Sequence, residues 1–257
     1  MKKSSFPLLI TFLVIAFLYL PIILLMISSF NESRFGEEWT GFSFRWYVRL
    51  FQDPDIWNGV KNSLIVGISA TCISTVLGTM AAFALYRYKS MFQSLHYGLV
   101  YAPLVVPDLL MGMSLLLLFI SLGAPLGLMT IILAHTTFCI SYVAMVVLSR
   151  MDDFDYSVIE AAQDLGAEWW IVVFKVVVPV LSPGIISGAL LAFTISIDDY
   201  IVTSFVSGPG SATLPIHVYG MMKFGATPVI NALSTIILTV TFILTFCAQL
   251  FTKRSVA

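Results

Sequence analysis

Long apolar runs alternate with short polar segments along this chain, and the runs are too long for helices of an ordinary soluble core. About 20 consecutive apolar residues, some 30 Å of helix, cross the hydrocarbon of a bilayer. Windows of that kind lie near residues 8–28, 63–85, 97–122, 128–148, 182–206 and 229–251. The pattern predicts an all-α membrane protein with six transmembrane helices. The first run follows Lys2 and Lys3. It is longer than a signal-peptide core and no small-residue cleavage site follows it, so it reads as an uncleaved signal anchor.

Composition sharpens this picture. Of 257 residues, 59% are hydrophobic and 11% charged, and the mean hydropathy is +0.96. Soluble domains carry about 25% charged residues, so the chain cannot cover a water-facing surface. The net charge of -1 matters less than where each charge falls. Lys2, Lys3, Arg87, Lys89, Arg150, Lys175, Lys253 and Arg254 share one side of the six-span arrangement. Arg34, Arg45, Arg49, Lys61 and Lys223 share the other, mostly within one long loop. The positive-inside bias then puts both termini in the cytoplasm. Cys72, Cys139 and Cys247 sit singly in apolar runs and read as small packing residues. His96, His135 and His217 are scattered, and no metal site is expected.

The 257 residues read as a single permease-like domain with two loops too long to be connectors. The extracytoplasmic loop, 30–62, is rich in aromatic residues (among them Phe35, Trp39, Trp46 and Trp57) and predicts a segment lying at the membrane surface. The cytoplasmic loop, 150–180, carries helical signals. Asp155 and Ser157 suit an N-cap, residues 158–162 propagate a helix, and Gly166 suits a left-handed C-terminal residue. A second stretch, 168–178, is expected to stop at Pro179.

Glu160-Ala161-Ala162, then Gly166, then Pro179 thirteen residues later, resembles the EAA loop of permeases of binding-protein-dependent ABC importers. Ser29-Phe30-Asn31, Ser33-Arg34-Phe35-Gly36, Arg45-Trp46-Tyr47, Ala84-Leu85-Tyr86-Arg87-Tyr88 and Ser196-Ile197-Asp198-Asp199 extend the likeness over nearly the whole chain, toward the spermidine/putrescine permeases. The resemblance implies a type I ABC-importer (MetI-like) bundle in the cell inner membrane. It also implies a second homologous permease subunit, a cytoplasmic ATPase dimer that binds the ATP and Mg, and an extracytoplasmic polyamine-binding protein. Glu160, Ala161, Ala162 and Gly166 are then the residues that couple to the ATPase. Residues matching Trp46, Asp108, Ser196, Asp198 and Asp199 are implicated in polyamine passage in that family. Members also carry a carboxylate shortly after the loop glycine; here Trp169 holds the aligned position, with Glu168 beside it.

The residues themselves point the same way. Three of the fourteen acidic residues, Asp108, Asp198 and Asp199, fall within predicted spans. A carboxylate at mid-bilayer costs about 2.5–3.5 kcal/mol on insertion scales, and such groups usually face a wet cavity or a partner. At about 1.5 Å per residue, Asp108 lies roughly 17 Å and Asp198 roughly 24 Å above the inner ends of their spans. No Lys or Arg of the spans can answer these charges. A cationic substrate, a partner residue or protonation must. Adjacent Asp198 and Asp199 should diverge by about 100° on a helix, with Ser196 and Asp199 on one face. Pro103 and Pro107 predict a kinked, hydrated wall before Asp108. Single-residue alternatives stand beside these: Trp46 as an interfacial anchor, Ser196 bonded to its own helix, Asp198 or Asp199 as a contact to a neighbouring permease. Pro183, Gly184 and Gly188 read as helix-packing surface.

No Gly-x-x-x-x-Gly-Lys-Ser/Thr motif is present, nor a nucleophile–base pair, so the chain is neither the motor nor an enzyme. Lipid is an expected partner and nucleic acid is not. Two other readings remain: an ion-coupled secondary transporter whose aspartates relay protons, and an ABC permease for another cationic solute. An oxyanion carrier would call for arginine in the spans, and none is there.

Overall fold

The computed structural model describes residues 6–33, 38–88, 91–151, 154–155, 157–223 and 228–255, with side chains between 7 and 243. Readings that rest on Lys2, Lys3, Arg34, Phe35, Gly36, Lys89 and Tyr156, and on the side chains of Lys253 and Arg254, lie outside the described residues. The order is α1 (Phe6–Ser28), α2 (Arg45–Gln52), α3 (Pro54–Arg87), α4 (Gln93–Val105), α5 (Asp108–Ser121), α6 (Leu128–Met151), α7 (Ser157–Asp164) and α8 (Trp169–Val172). A π-helical turn (Val173–Val177) leads into α9 (Val178–Asp198), followed by α10 (Ile201–Val206), α11 (Leu214–Lys223) and α12 (Pro228–Ser255). No strand occurs among the described residues; Asn31 and Phe42 form one isolated antiparallel bridge.

Among the described residues, four helices are long and apolar enough to cross a membrane: α1, α3, α6 and the continuous helix Trp169–Asp198. A fifth results if α4 and α5 count as one span. The stretch expected to be one helix at 97–122 is thus broken, with the axis turning by 108° at the α4–α5 junction. Pro107 is the cause. It lacks an N–H and pushes Val106 into extended backbone (ψ 128°), so the chain restarts as α5 with Pro107 at its N-cap. In α12, a helix of 28 residues, the described stretch Pro228–Ile243 is apolar.

Three other boundaries differ from expectation. Helix α3 starts at Pro54, inside the segment read as loop. Asp53 caps it, its Oδ1 accepting the Asp55 N–H at 3.0 Å, with Pro54 in the first-turn position that needs no amide proton. The inner-loop helix does not stop at Pro179 but runs on into α9. The preceding π turn shifts the carbonyl that the proline ring would strike. Finally, α9 ends at Asp198, and residues 201–206 form the separate α10.

The chain forms two compact units, residues up to 57 with those from 217 onward, and residues 58–216. In the first, α12 packs on α1 and α2. Amphipathic α2 buries Trp46 and Leu50, and Phe30, Phe42, Phe44 and Tyr47 form an aromatic cluster with Phe30 and Phe42 stacked at 5.2 Å.

In the second unit α6 is the hub, with Ile131, Ala134, Cys139, Val143, Val147 and Met151 fully buried. Against it α9 presents a stripe at helical spacing: Leu181, Gly184, Gly188, Ala192 and Ser196. The small residues bring the backbones close, as their spacing predicts. Val143 is wedged between two glycines. A Cβ on Gly78 would lie 2.7 Å from its Cβ, and one on Gly188 3.3 Å from its Cα. Helices α4, α5 and α10 pack around the remainder of α6.

Candidate functional site

The break between α9 and α10 and the break between α4 and α5 open on one cavity in the second unit, of about 320 Å³. Asp108, Asp198 and Asp199 all line it. Its other walls are Pro103, Phe138, Tyr142, Ile195, Tyr200 and Ile201. Three carboxylates therefore converge with aromatic faces, and among the described residues no lysine or arginine lines the cavity. Each break frees a carboxylate from an otherwise apolar helix, Asp108 at the first residue of α5 and Asp198 at the last of α9.

Asp198 and Asp199 are not the successive helical residues expected, because the helix stops between them. Asp199 is extended (φ -67°, ψ 124°). Its carboxylate caps α10: Oδ1 accepts the Val202 N–H at 3.3 Å, and Oδ2 accepts the Thr203 N–H at 2.8 Å and the Thr203 hydroxyl at 2.7 Å. Behind it lies His135, 1% exposed, with Nε2 2.8 Å from Thr203 Oγ1 and 3.4 Å from Asp199 Oδ2. Its Nδ1 is 2.7 Å from Ser196 Oγ. Ser196 is buried, does not line the cavity, and meets His135 in place of its own helix backbone.

His135 and Thr203 were not singled out by sequence reasoning, nor were Phe138, Tyr142 and Tyr200. A histidine within an apolar run is an intramembrane ionisable group, and weighing it with the aspartates would have flagged it. Trp46 belongs to the first unit. It is 1% exposed, and its Nε1–H donates to the Asn31 carbonyl at 2.7 Å, so it is an internal anchor and not an interfacial one. The Arg45 guanidinium lies 4.6 Å from its ring centroid.

The inner loop folds as a helix, a turn and a second helix. Asp155 Oδ1 accepts the Ser157 N–H at 2.9 Å, which holds its carboxyl below the usual carboxylate range. Helix α7 buries Ile159 and exposes Glu160 and Ala161, while Ala162 packs inward. Gly166 adopts φ +83°. The Gly166 N–H reaches the Gln163 carbonyl at 2.8 Å and the Ala167 N–H the Ala162 carbonyl at 3.1 Å, the paired bonds of a Schellman turn. Leu165 is 89% exposed at the tip. Of the two residues following the turn, Trp169 packs on Phe83 at 5.9 Å, and the Glu168 carboxylate accepts the Trp170 indole N–H. The Tyr86 hydroxyl reaches the Phe154 carbonyl at 3.4 Å, tying the loop's entry to α3.

Residues 74–256 match the family model described as binding-protein-dependent transport system inner membrane component. The chain is 40% identical over 244 residues to the spermidine/putrescine transport system permease protein PotC of Haemophilus influenzae, covering 95% of each. It is 43% identical over 260 residues to the putrescine transport system permease protein PotI of Escherichia coli, covering 98% of this chain and 92% of that one. Among solved structures, a bacterial ABC transporter involved in import of the acidic polysaccharide alginate has a chain of like fold, at a TM-score of 0.73 and 16% identity over 98% of both chains. The MetNI methionine transporter gives 0.63 at 18% identity, covering 79% of this chain and 98% of that one.

Proposed function

The chain belongs to the family of binding-protein-dependent inner-membrane transport components, and from that premise we propose that it is a permease subunit of an ATP-driven importer of polyamines, spermidine or putrescine. It supplies half of a pathway completed by a second, homologous permease. It crosses the inner membrane six times with both ends in the cytoplasm, the broken α4–α5 pair and α12 each counting as one crossing. ATP and Mg are bound by a separate cytoplasmic ATPase dimer, and an extracytoplasmic binding protein delivers the substrate.

One observation carries the reading: Asp108, Asp198 and Asp199 share a cavity with Phe138, Tyr142 and Tyr200, and no basic side chain among the described residues lines it. A polyamine is a flexible chain whose ammonium groups suit carboxylates as charge-assisted partners and aromatic faces as cation–π partners. The exposed carboxylates of Asp108 and Asp198 meet the cation, while Asp199 and Ser196 act from the wall. Trp46 contributes from its own unit as the anchor of the 31–46 segment. Glu160, Ala161, Ala162 and Gly166 form the coupling surface, and the exposed Leu165 tip suits a groove on the ATPase. Movement of α7 passes to the core through buried Ile159.

The pairing of buried His135 with Asp199 at the cavity wall favours a second reading, proton-coupled transport, because chains of such groups serve as relays in pumps. Reconstitution decides. The four-component complex in proteoliposomes should accumulate labelled spermidine or putrescine only with ATP and binding protein. Accumulation driven by a proton gradient alone would establish the second reading and remove the first.

A further inference from the structure

We propose that His135 is a positioning residue for substrate passage: donating from Nε2–H, it ties Ser196 on α9 to Thr203 and Asp199 at α10, and so holds the break from which Asp198 is presented to the cavity. This rests on the polyamine reading of that cavity and adds to it a division of labour among its carboxylates.

The partners of the Thr203 hydroxyl place a proton on Nε2. The Thr203 hydroxyl has one proton, and it goes to Asp199 Oδ2 at 2.7 Å, closer than the Asp199 carbonyl at 3.2 Å. Thr203 Oγ1 must therefore accept from His135 Nε2 at 2.8 Å, so Nε2 carries the proton. On the other side of the ring Nδ1 and the Ser196 hydroxyl share a hydrogen bond at 2.7 Å. Each of the four polar groups has a partner, as a site where the imidazole is 1% exposed requires. The Phe138 ring, 5.1 Å from the imidazole, closes another side and also lines the cavity.

The network spans the gap in the helix. Ser196 lies in the last turn of α9, Asp199 in the extended link, and Thr203 in the first turn of α10, while His135 comes from the buried face of α6. Without the imidazole nothing else in the network joins Ser196 to Thr203. Asp199 Oδ2 already accepts two close hydrogen bonds from Thr203. Asp199 therefore shapes the wall, and the direct meeting with ammonium groups falls to Asp108 and Asp198.

The test uses the full complex of both permeases, ATPase and binding protein in proteoliposomes, reading polyamine uptake and binding-protein-stimulated ATP hydrolysis side by side. His135→Ala and Thr203→Val should each lower uptake about tenfold while hydrolysis persists, so that uptake per ATP falls. A merely structural lesion lowers both together. The double variant should be no worse than the poorer single one, because both changes break one device. His135→Gln, whose amide still donates toward Thr203, should recover part of the loss. If His135→Ala fails to assemble, Thr203→Val, which removes one hydroxyl, must still show the same drop in uptake per ATP. Wild-type uptake in His135→Ala or in Thr203→Val overturns the proposal, as does a multiplicative loss of about a hundredfold in the double variant. Asp108→Asn separates the two levels of the account. If it also leaves uptake unchanged, the polyamine reading of the cavity falls; if it alone loses uptake, only the role of His135 falls.

Discussion

Replacing Gly166 by alanine probes the coupling loop through backbone conformation alone. Its φ of +83° lies in the left-handed region, and a Cβ there meets nothing within 4 Å, so the cost is strain without a clash. For a residue with a Cβ that strain is about 1–2 kcal/mol, whereas asparagine visits the region readily. Ile159 is fully buried and Ala162 and Ala167 pack on the core, so the turn has one seating on the permease. At 1.4 kcal/mol per decade, the penalty shifts the balance between seated and unseated turn by about 5–30-fold. Binding of the purified ATPase to the permease pair in nanodiscs should weaken by up to that factor for Gly166→Ala. Gly166→Asn should remain close to the unaltered protein. Wild-type affinity for the alanine variant would refute the reasoning, because the left-handed turn would then play no part in docking.

Other consequences are as direct. Gly78→Ala forces a Cβ to within 2.7 Å of Val143; overpacking of that kind costs about 1–3 kcal/mol, so the melting temperature of the detergent-solubilised complex should fall, whereas Gly98→Ala, with no neighbour within 4 Å, should leave it unchanged. Trp46→Phe keeps the ring but leaves the buried Asn31 carbonyl without its donor, a loss of about 1–3 kcal/mol that should appear as earlier thermal unfolding. The depressed pKa of Asp155 means that its contribution to α7 is present above the ordinary carboxylate range and is lost as pH falls through the folded value. Amide exchange of α7 should thus quicken on acidification after correction for intrinsic rates, and Asp155→Asn should flatten that dependence.

Much of this was legible in the chain. The apolar windows located the long helices, because a bilayer demands length and little else of them. Gly166 announced its left-handed turn, and Gly184 and Gly188 announced a packing face. Asp108, Asp198 and Asp199 were legible because each charge costs free energy where it sits, and all three do reach one cavity. The breaks were not. Pro107 was read as a kink, and whether a proline bends a helix or ends it depends on what packs beyond it. Pro179 went the other way, since a π turn absorbed it. Asp53-Pro54-Asp55 carried a helix-start signal that aromatic richness in the same loop obscured. His135 stayed hidden because its partners stand 61 and 68 residues along the chain, a pairing that no local pattern encodes.

The most direct test of the cation pathway is uptake by the reconstituted complex carrying Asp108→Asn or Asp198→Asn, with ATP hydrolysis measured in the same vesicles. Each carboxylate removed forfeits a charge-assisted interaction of about 1.5–3 kcal/mol, so spermidine or putrescine uptake should fall about 10–150-fold while binding-protein-stimulated hydrolysis continues. Uptake at the wild-type rate in both variants, from complexes that assemble normally, would contradict the account.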